Sequence, residues 1–103
     1  MIILNLITPK EFEQDVTDCL KSCDDVTSFY IFRVDEYSDQ QKNESFISKK
    51  DLVEGFTQKI KLEVIIVEER YKEILGTINN ITGLEENSYS WITEINKING
   101  FNN

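Results

Sequence analysis

Apolar positions recur along the chain with the periods of strands and helices, and their order predicts strand, helix, strand, strand, helix, strand. The segment from Thr57 to Val67 has the clearest pattern, because apolar and charged side chains alternate along it. The two predicted faces of this strand are Ile60, Leu62, Val64 and Ile66 on one side, and Lys59, Lys61 and Glu63 on the other. A helical pattern from Glu68 to Thr82 follows at once. The order predicts an α+β ferredoxin-like βαββαβ fold, a four-stranded antiparallel sheet with two helices on one face.

The remaining elements have weaker but consistent signals. The run Thr8-Pro9-Lys10-Glu11 combines a capping threonine, a proline at the first helical position and a glutamate three residues after the cap, which predicts the start of helix one. Strand two is predicted over about Thr27 to Asp35, and strand four over about Ser88 to Ile95. Helix two is predicted to end near Gly83, which would serve as its C-terminal cap.

One long polar connection separates the second and third strands. Residues 36–55 contain little from which a core could be built, although the capping-box pattern at Ser48 to Asp51 predicts a short helix within them. A connection of this length in a small domain is more often a working loop than a spacer. The tail, residues 96–103, is rich in asparagine and is predicted to fray.

Length and charge limit the classes of function. The 103 residues have room for one domain, spanning residues 1–103. A formal net charge of -8 opposes binding to nucleic acid or to anionic lipid, because either partner would require clustered lysine and arginine. The apolar opening from Met1 to Ile7 lacks a basic leader and is too short to cross a bilayer, so we expect a first strand in a cytoplasmic protein.

The second strand has large apolar side chains at successive positions, so both of its faces should become buried. Depending on the register, the helix-free face of the sheet would present Tyr30, Phe32 and Val34, or Phe29 and Ile31, together with Ile65 and Val67. Removing a large apolar side chain from water is worth roughly 1.5 to 3 kcal/mol. We therefore predict a symmetric oligomer in which the sheets pack inward.

Several kinds of chemistry are excluded by composition. The chain contains no histidine, which removes Ser-His-Asp hydrolysis and imidazole acid–base catalysis. Its four glycines are isolated, so no phosphate-cradling motif is present. The carboxylates, such as the Glu68-Glu69 pair at the start of helix two, suit a solvated face or the positive end of a helix. We predict that the protein is not an enzyme.

Two cysteines on helix one allow two interpretations. Cys19 and Cys23 lie four residues apart, so their side chains would point the same way and could hold a soft metal such as copper(I) or zinc. Both also fall on the apolar stripe of the helix, where free cysteine commonly behaves as a small buried hydrophobic residue. Core packing is the stronger interpretation, and a metal-binding protein that uses both thiols and acidic residues is the alternative.

The stretch Gly55-Phe56-Thr57-Gln58-Lys59-Ile60-Lys61-Leu62-Glu63-Val64-Ile65-Ile66-Val67, followed by a short acidic step and a helix, resembles the segment after the T-loop of PII signalling proteins. The final strand, Tyr89-Ser90-Trp91-Ile92-Thr93-Glu94-Ile95, is also similar to theirs. The resemblance follows almost the whole chain in the order and length of its elements. It is specific only along strand three.

The resemblance implies a homotrimer of ferredoxin-like subunits whose sheets face the centre. It implies a ligand cleft between neighbouring subunits, lined by residues that here are Lys59, Glu63 and Tyr37, and a T-loop equivalent at residues 36–55 that signals to a partner protein. The base of this loop reads Val34-Asp35-Glu36-Tyr37-Ser38, and the family's phosphate loop is replaced by Gly83-Leu84-Glu85-Glu86-Asn87-Ser88. The effector, a small molecule or a metal ion, is therefore not specified. The chain looks closest to shortened PII-like proteins, some of which accompany heavy-metal efflux systems.

Overall fold

The structure, a computed structural model, describes residues 1–37 and 55–100. Its strands pair antiparallel in the order β2-β3-β1-β4, which confirms the predicted ferredoxin-like α+β arrangement. The strands are β1 (Ile2–Pro9), β2 (Val26–Glu36), β3 (Thr57–Ile66) and β4 (Tyr89–Glu94). The helices are α1 (Glu13–Lys21), α2 (Tyr71–Asn79) and the short α3 (Leu84–Asn87), with 3₁₀ turns at Lys10–Phe12 and Glu68–Arg70.

The core lies between one face of the sheet and the helices. Alternate residues of the two central strands point into it, as the sequence pattern of β3 predicts. The helices contribute apolar side chains at helical spacing, and residues of β2 add to the edge of the core. The buried members from β1 and β3 are Ile2, Leu4, Leu6, Ile60, Leu62, Val64 and Ile66, and those from the helical segments are Phe12, Val16, Leu20, Ile74, Ile78 and Leu84.

The other side of the sheet is here named the helix-free face, because no helix within residues 1–37 and 55–100 packs on it. The register of β2 against β3 decides between the two alternatives for its composition, since Tyr30 lies opposite Glu63 and Phe32 opposite Lys61. The members of this face are Ile3, Asn5, Ile7, Pro9, Tyr30, Phe32, Val34, Glu36, Thr57, Lys59, Lys61, Glu63, Ile65, Tyr89, Trp91 and Thr93. Val67 lies just beyond the end of β3 and is exposed.

The predicted start of helix one is wrong in detail. Thr8 and Pro9 belong to β1, where they lie opposite Ile60 and Lys59 of β3. The Thr8 hydroxyl does not cap a helix but lies 2.7 Å from the hydroxyl oxygen of Ser88, and it is fully buried. Sheet pairing therefore extends two residues further than the local sequence signal indicates, because a ladder partner outweighs a cap whose contribution is about 1 kcal/mol.

The predicted end of helix two also requires correction. The α-helix ends at Asn79, and Gly83 follows four residues later as the residue before α3. Gly83 does adopt the left-handed conformation expected of a helix-capping glycine, with φ of 83°. It turns the chain into α3, which places Leu84 in the core. The predicted helix around Ser48–Asp51 and residues 38–54 of the connection lie outside the described residues, as do residues 101–103 of the tail.

Candidate functional site

Two rows of side chains cross the helix-free face from one edge strand to the other. The pairing of strands defines them as Tyr30, Glu63, Asn5 and Trp91 in the first row, and Phe32, Lys61, Ile7 and Tyr89 in the second. Each row begins and ends with an aromatic ring, and its middle positions lie on the central strands. The four rings, here named the edge aromatics, are 50% (Tyr30), 45% (Phe32), 42% (Trp91) and 53% (Tyr89) exposed.

The charges at the centre of this face are matched within it. Lys61 Nζ lies 3.1 Å from a carboxylate oxygen of Glu63, and the same ammonium lies 5.7 Å from the centroid of the Trp91 ring. The Trp91 ring also stacks on Tyr89 with a centroid separation of 6.0 Å. The helix-free face thus has exposed aromatic rings at its edges and a pair of opposite charges at its centre.

A polar network closes one end of the helix-free face. Lys59 Nζ lies 2.8 Å from Oε1 of Glu36, and the lysine side chain is only 2% exposed. The Tyr89 hydroxyl donates to Oε2 of Glu36 at 2.6 Å. Glu36 is the last residue of β2, so this network ties β2, β3 and β4 together at the point where the chain enters the 36–55 connection.

The structure separates the three residues that the PII resemblance assigns to a ligand cleft. Tyr37 is 71% exposed beside the Glu36 network, and its ring centroid lies 5.5 Å from that of Phe56. Lys59 lies at the same end of the sheet, whereas Glu63 is four residues further along β3, about 13 Å away. The structure therefore brings Lys59 and Tyr37 to the same end and places Glu63 in the centre of the face.

Cys19 and Cys23 lie on the other side of the sheet. Cys19 packs against the core, and the Cys23 thiol donates to the carbonyl oxygen of Cys19 at 3.2 Å. Burial raises the pKa of the Cys19 thiol above its ordinary value of 9.0, and the adjacent Cys23 side chain raises it further. Within the described ranges, no group of three or more histidine, cysteine, aspartate or glutamate side chains is arranged to hold a metal ion. These contacts fit the packing interpretation of the cysteines.

A hollow of about 450 Å³ lies between the start of α1 and the β2–β3 pair. Its charged lining includes Lys10, Glu13, Arg33 and Asp35, and its floor includes Ile60, which is completely buried. Lys10 Nζ donates to Oε1 of Gln58 at 2.6 Å, and Arg33 Nη2 lies 2.7 Å from Oε2 of Glu13.

Sequence reasoning did not assign Glu36 and Tyr89 to one network, or Lys10 and Arg33 to one hollow. The alternation in β4 does predict that Tyr89 and Trp91 share a face. The contact between Tyr89 and Glu36 spans 53 positions and depends on the order of the strands, which no local pattern supplies.

Comparisons with known proteins identify a family but no activity. A family profile described as "Protein of unknown function (DUF3240)" matches residues 1–100. The crystal structure of a DUF3240 family protein from Shewanella baltica OS155, at 2.40 Å resolution, superposes with a TM-score of 0.75 and 16% sequence identity, covering 97% of this chain and 94% of the other. At this identity the likeness concerns the fold alone. No curated protein gives a significant match. Among the described residues, no helix is long and apolar enough to cross a membrane.

Proposed function

Since the chain belongs to the DUF3240 family, whose function is not known, we propose from its own surfaces that it is a PII-like regulatory protein that assembles as a homotrimer. In this proposal the helix-free faces of three copies turn inward, and a small effector or ion binds in the seam between neighbouring subunits. The 36–55 connection signals to a partner protein. The protein has no catalytic role.

The exposure of the edge aromatics is the observation that carries this proposal. Four large rings that are 42% to 53% exposed lie on one face of a single chain, on both sides of a centre whose charges are already paired. Burying further apolar area stabilises an assembly by about 25 cal/mol per Å². The pairing of Lys61 with Glu63 offsets part of the desolvation cost of carrying these two charges into an interface. Aromatic residues are also the side chains most enriched in interface cores.

The Glu36 network supports a link between the seam and the connection. Lys59 and Tyr89 both contact the carboxylate of Glu36, whose neighbour Tyr37 is exposed. An anionic effector at this end of the face would compete with Glu36 for Lys59, and a cation would compete with Lys59 for Glu36. Either exchange would change the contacts of Glu36, the residue that begins the connection. Binding of the effector between subunits would thereby change the conformation of the connection that contacts the partner protein.

Sedimentation velocity over a wide range of protein concentration tests the assembly. We expect a species of about 36 kDa, three times the chain mass of 12.1 kDa, that dissociates only on dilution. A well-folded species of 12.1 kDa at all concentrations would reject the trimer and, with it, the seam.

A second candidate function is metal binding by the two cysteines, and their closeness in the chain favours it. The Cys23 thiol lies 3.2 Å from the carbonyl oxygen of Cys19, so a soft ion that accepts two thiolates, such as copper(I), would find both donors on one turn of the chain. Titration with copper(I) against a chromogenic chelator tests this, with Cys19→Ser/Cys23→Ser as the control. Equal copper binding by the two proteins would reject it.

A further inference from the structure

The hollow between the start of α1 and the β2–β3 pair lies on the helix side of the sheet, away from the edge aromatics. Its volume of about 450 Å³ is within the usual range for small-molecule sites, about 300 to 1,000 Å³. Within the described residues, the lining combines charged side chains with the apolar residues Val34 and Ile60. The lining residues are Lys10, Glu13, Arg33, Val34, Asp35, Gln58, Lys59 and Ile60.

Two cations of the hollow retain hydrogen-bond donors for a ligand. Lys10 has three N–H donors, and its side-chain contact within the described residues is the bond to Gln58 at 2.6 Å. Arg33 has five N–H donors, of which the described structure engages one nitrogen, with Glu13 at 2.7 Å, and its side chain is 70% exposed. Donors of this kind, on opposite walls of one hollow, match the two oxygens of a carboxylate.

Asp35 offers the opposite charge in the same place. It lies on the same face of β2 as Arg33, two residues away, at a spacing of about 7 Å. It is directly opposite Gln58, the residue that holds the Lys10 ammonium. Within residues 1–37 and 55–100, its side chain makes no hydrogen bond and no ion pair, so its carboxylate can accept an ammonium group.

Among the described lining residues, Lys10 and Arg33 balance the charges of Glu13 and Asp35, while the Lys59 ammonium is bound to Glu36 on the other face. A ligand of one sign would be attracted by one pair of these groups and repelled by the other pair. We infer that the hollow binds a small zwitterion of the amino-acid class, with its carboxylate on Lys10 and Arg33 and its ammonium on Asp35. The inference concerns a single subunit and does not depend on the trimer.

Amide chemical shifts of Arg33, Asp35 and Gln58 in ¹⁵N-labelled protein would report this binding. The probes are two zwitterions of different length, L-alanine and 4-aminobutanoate, with butanoate and butylamine as analogues that carry one charge. At least one zwitterion should give saturable shifts, and both single-charge analogues should bind at least about tenfold more weakly, because each loses a charge-assisted contact. Butanoate that binds as tightly as the better zwitterion would overturn the inference in favour of a simple anion site.

Matched variants locate the site. Arg33→Gln and Asp35→Asn should each weaken binding of the zwitterion about tenfold, since each removes a charge that would bind one end of the zwitterion. Lys72→Gln and Asp15→Asn remove the same charges from exposed positions outside the hollow and should bind as the unchanged chain does. Shifts that are absent at millimolar ligand, or that persist in both hollow variants, would contradict the inference. Zwitterion binding by a 12.1 kDa monomer would leave it standing while rejecting the proposed trimer.

Discussion

Glu36 links three strands through the two oxygens of one carboxylate, since Lys59 lies 2.8 Å from one oxygen and the Tyr89 hydroxyl 2.6 Å from the other. Glu36→Gln keeps the size of the side chain but removes the charge that faces a lysine side chain only 2% exposed. We expect a loss of about 3 kcal/mol in the free energy of unfolding, because weakening a buried ion pair costs more than weakening an exposed one. Urea denaturation measures this loss.

An exposed ion pair provides the control for that measurement. Arg33→Gln breaks the contact with Glu13 at 2.7 Å, but the arginine side chain is 70% exposed. We expect a change of at most about 1 kcal/mol, as for other surface ion pairs. If Glu36→Gln costs no more than Arg33→Gln, the Glu36 network does not stabilise the fold.

The Cys19 thiol should react slowly with alkylating reagents in the folded protein. Burial is the largest cause of its raised pKa and the Cys23 side chain the next, so the fraction present as thiolate at pH 8 is lower than in the unfolded chain. Alkylation by iodoacetamide, followed by mass spectrometry of the Cys19 peptide, should accelerate on unfolding in urea. In Cys23→Ser the pKa of Cys19 should fall but stay above 9.0, because the contribution of burial remains.

The sign of the pKa shift also fixes a dependence of stability on pH. A thiol whose pKa is higher in the folded state than in the unfolded state favours folding while it is protonated in both. That contribution is fully present below pH 9.0 and is lost as the pH rises through the raised folded value. Cys19→Ser should therefore lose less unfolding free energy than the unchanged chain when the pH rises above 9.0, and parallel losses in the two proteins would contradict this account.

Two glycines in neighbouring elements should respond to alanine in opposite ways. Gly83 has φ of 83°, and a Cβ at this position would lie 3.6 Å from Cζ of Phe12, in ordinary contact. The penalty of Gly83→Ala is therefore the left-handed backbone, which costs about 1 to 2 kcal/mol. Gly76 lies within α2, and a Cβ added there would meet no atom of the described residues within 4 Å, so Gly76→Ala should stabilise by up to about 1 kcal/mol. Thermal unfolding of both variants measures whether each substitution raises or lowers the stability. Destabilisation by Gly76→Ala would contradict the open surroundings of that glycine.

At the scale of elements, sequence patterns predict the order of strands and helices but place their ends less well. The alternation of Ile60, Leu62, Val64 and Ile66 identifies the buried face of β3. Successive side chains of a strand point to opposite faces, so only one set of alternate residues can be the buried set. The capping signal at Thr8 fails because it competes with a sheet partner that only the tertiary fold supplies. Gly83 is correctly predicted as a special backbone position, but α3 is too short to have a periodic pattern.

At the scale of the whole molecule, contacts across the sheet are what sequence cannot supply. The prediction that β2 places aromatic side chains on the helix-free face holds, since β-strand alternation alone requires it once the register is known. The network of Glu36, Lys59 and Tyr89 depends on the strand order β2-β3-β1-β4. In this order the three side chains lie on the same face of the sheet, although they come from three different strands. The placements of Lys59, Glu63 and Tyr37 in a ligand cleft, and of Cys19 and Cys23 in a metal site, stay predictions.

Trp91 and Ile92 are neighbours on β4 with similar exposure, 42% and 39%, but they point to opposite faces of the sheet. Trp91→Ala removes an edge aromatic from the proposed interface, where tryptophan commonly contributes about 2 kcal/mol or more. Ile92→Ala removes a comparably exposed apolar side chain from the helix side, outside that interface. In sedimentation velocity at equal concentrations, Trp91→Ala should shift the population from trimer to monomer, whereas Ile92→Ala should sediment as the unchanged chain does. Circular dichroism should show both variants folded, because neither side chain belongs to the core. Dissociation caused by Ile92→Ala and not by Trp91→Ala would place the interface on the helix side of the sheet and reject the inward packing of the helix-free faces.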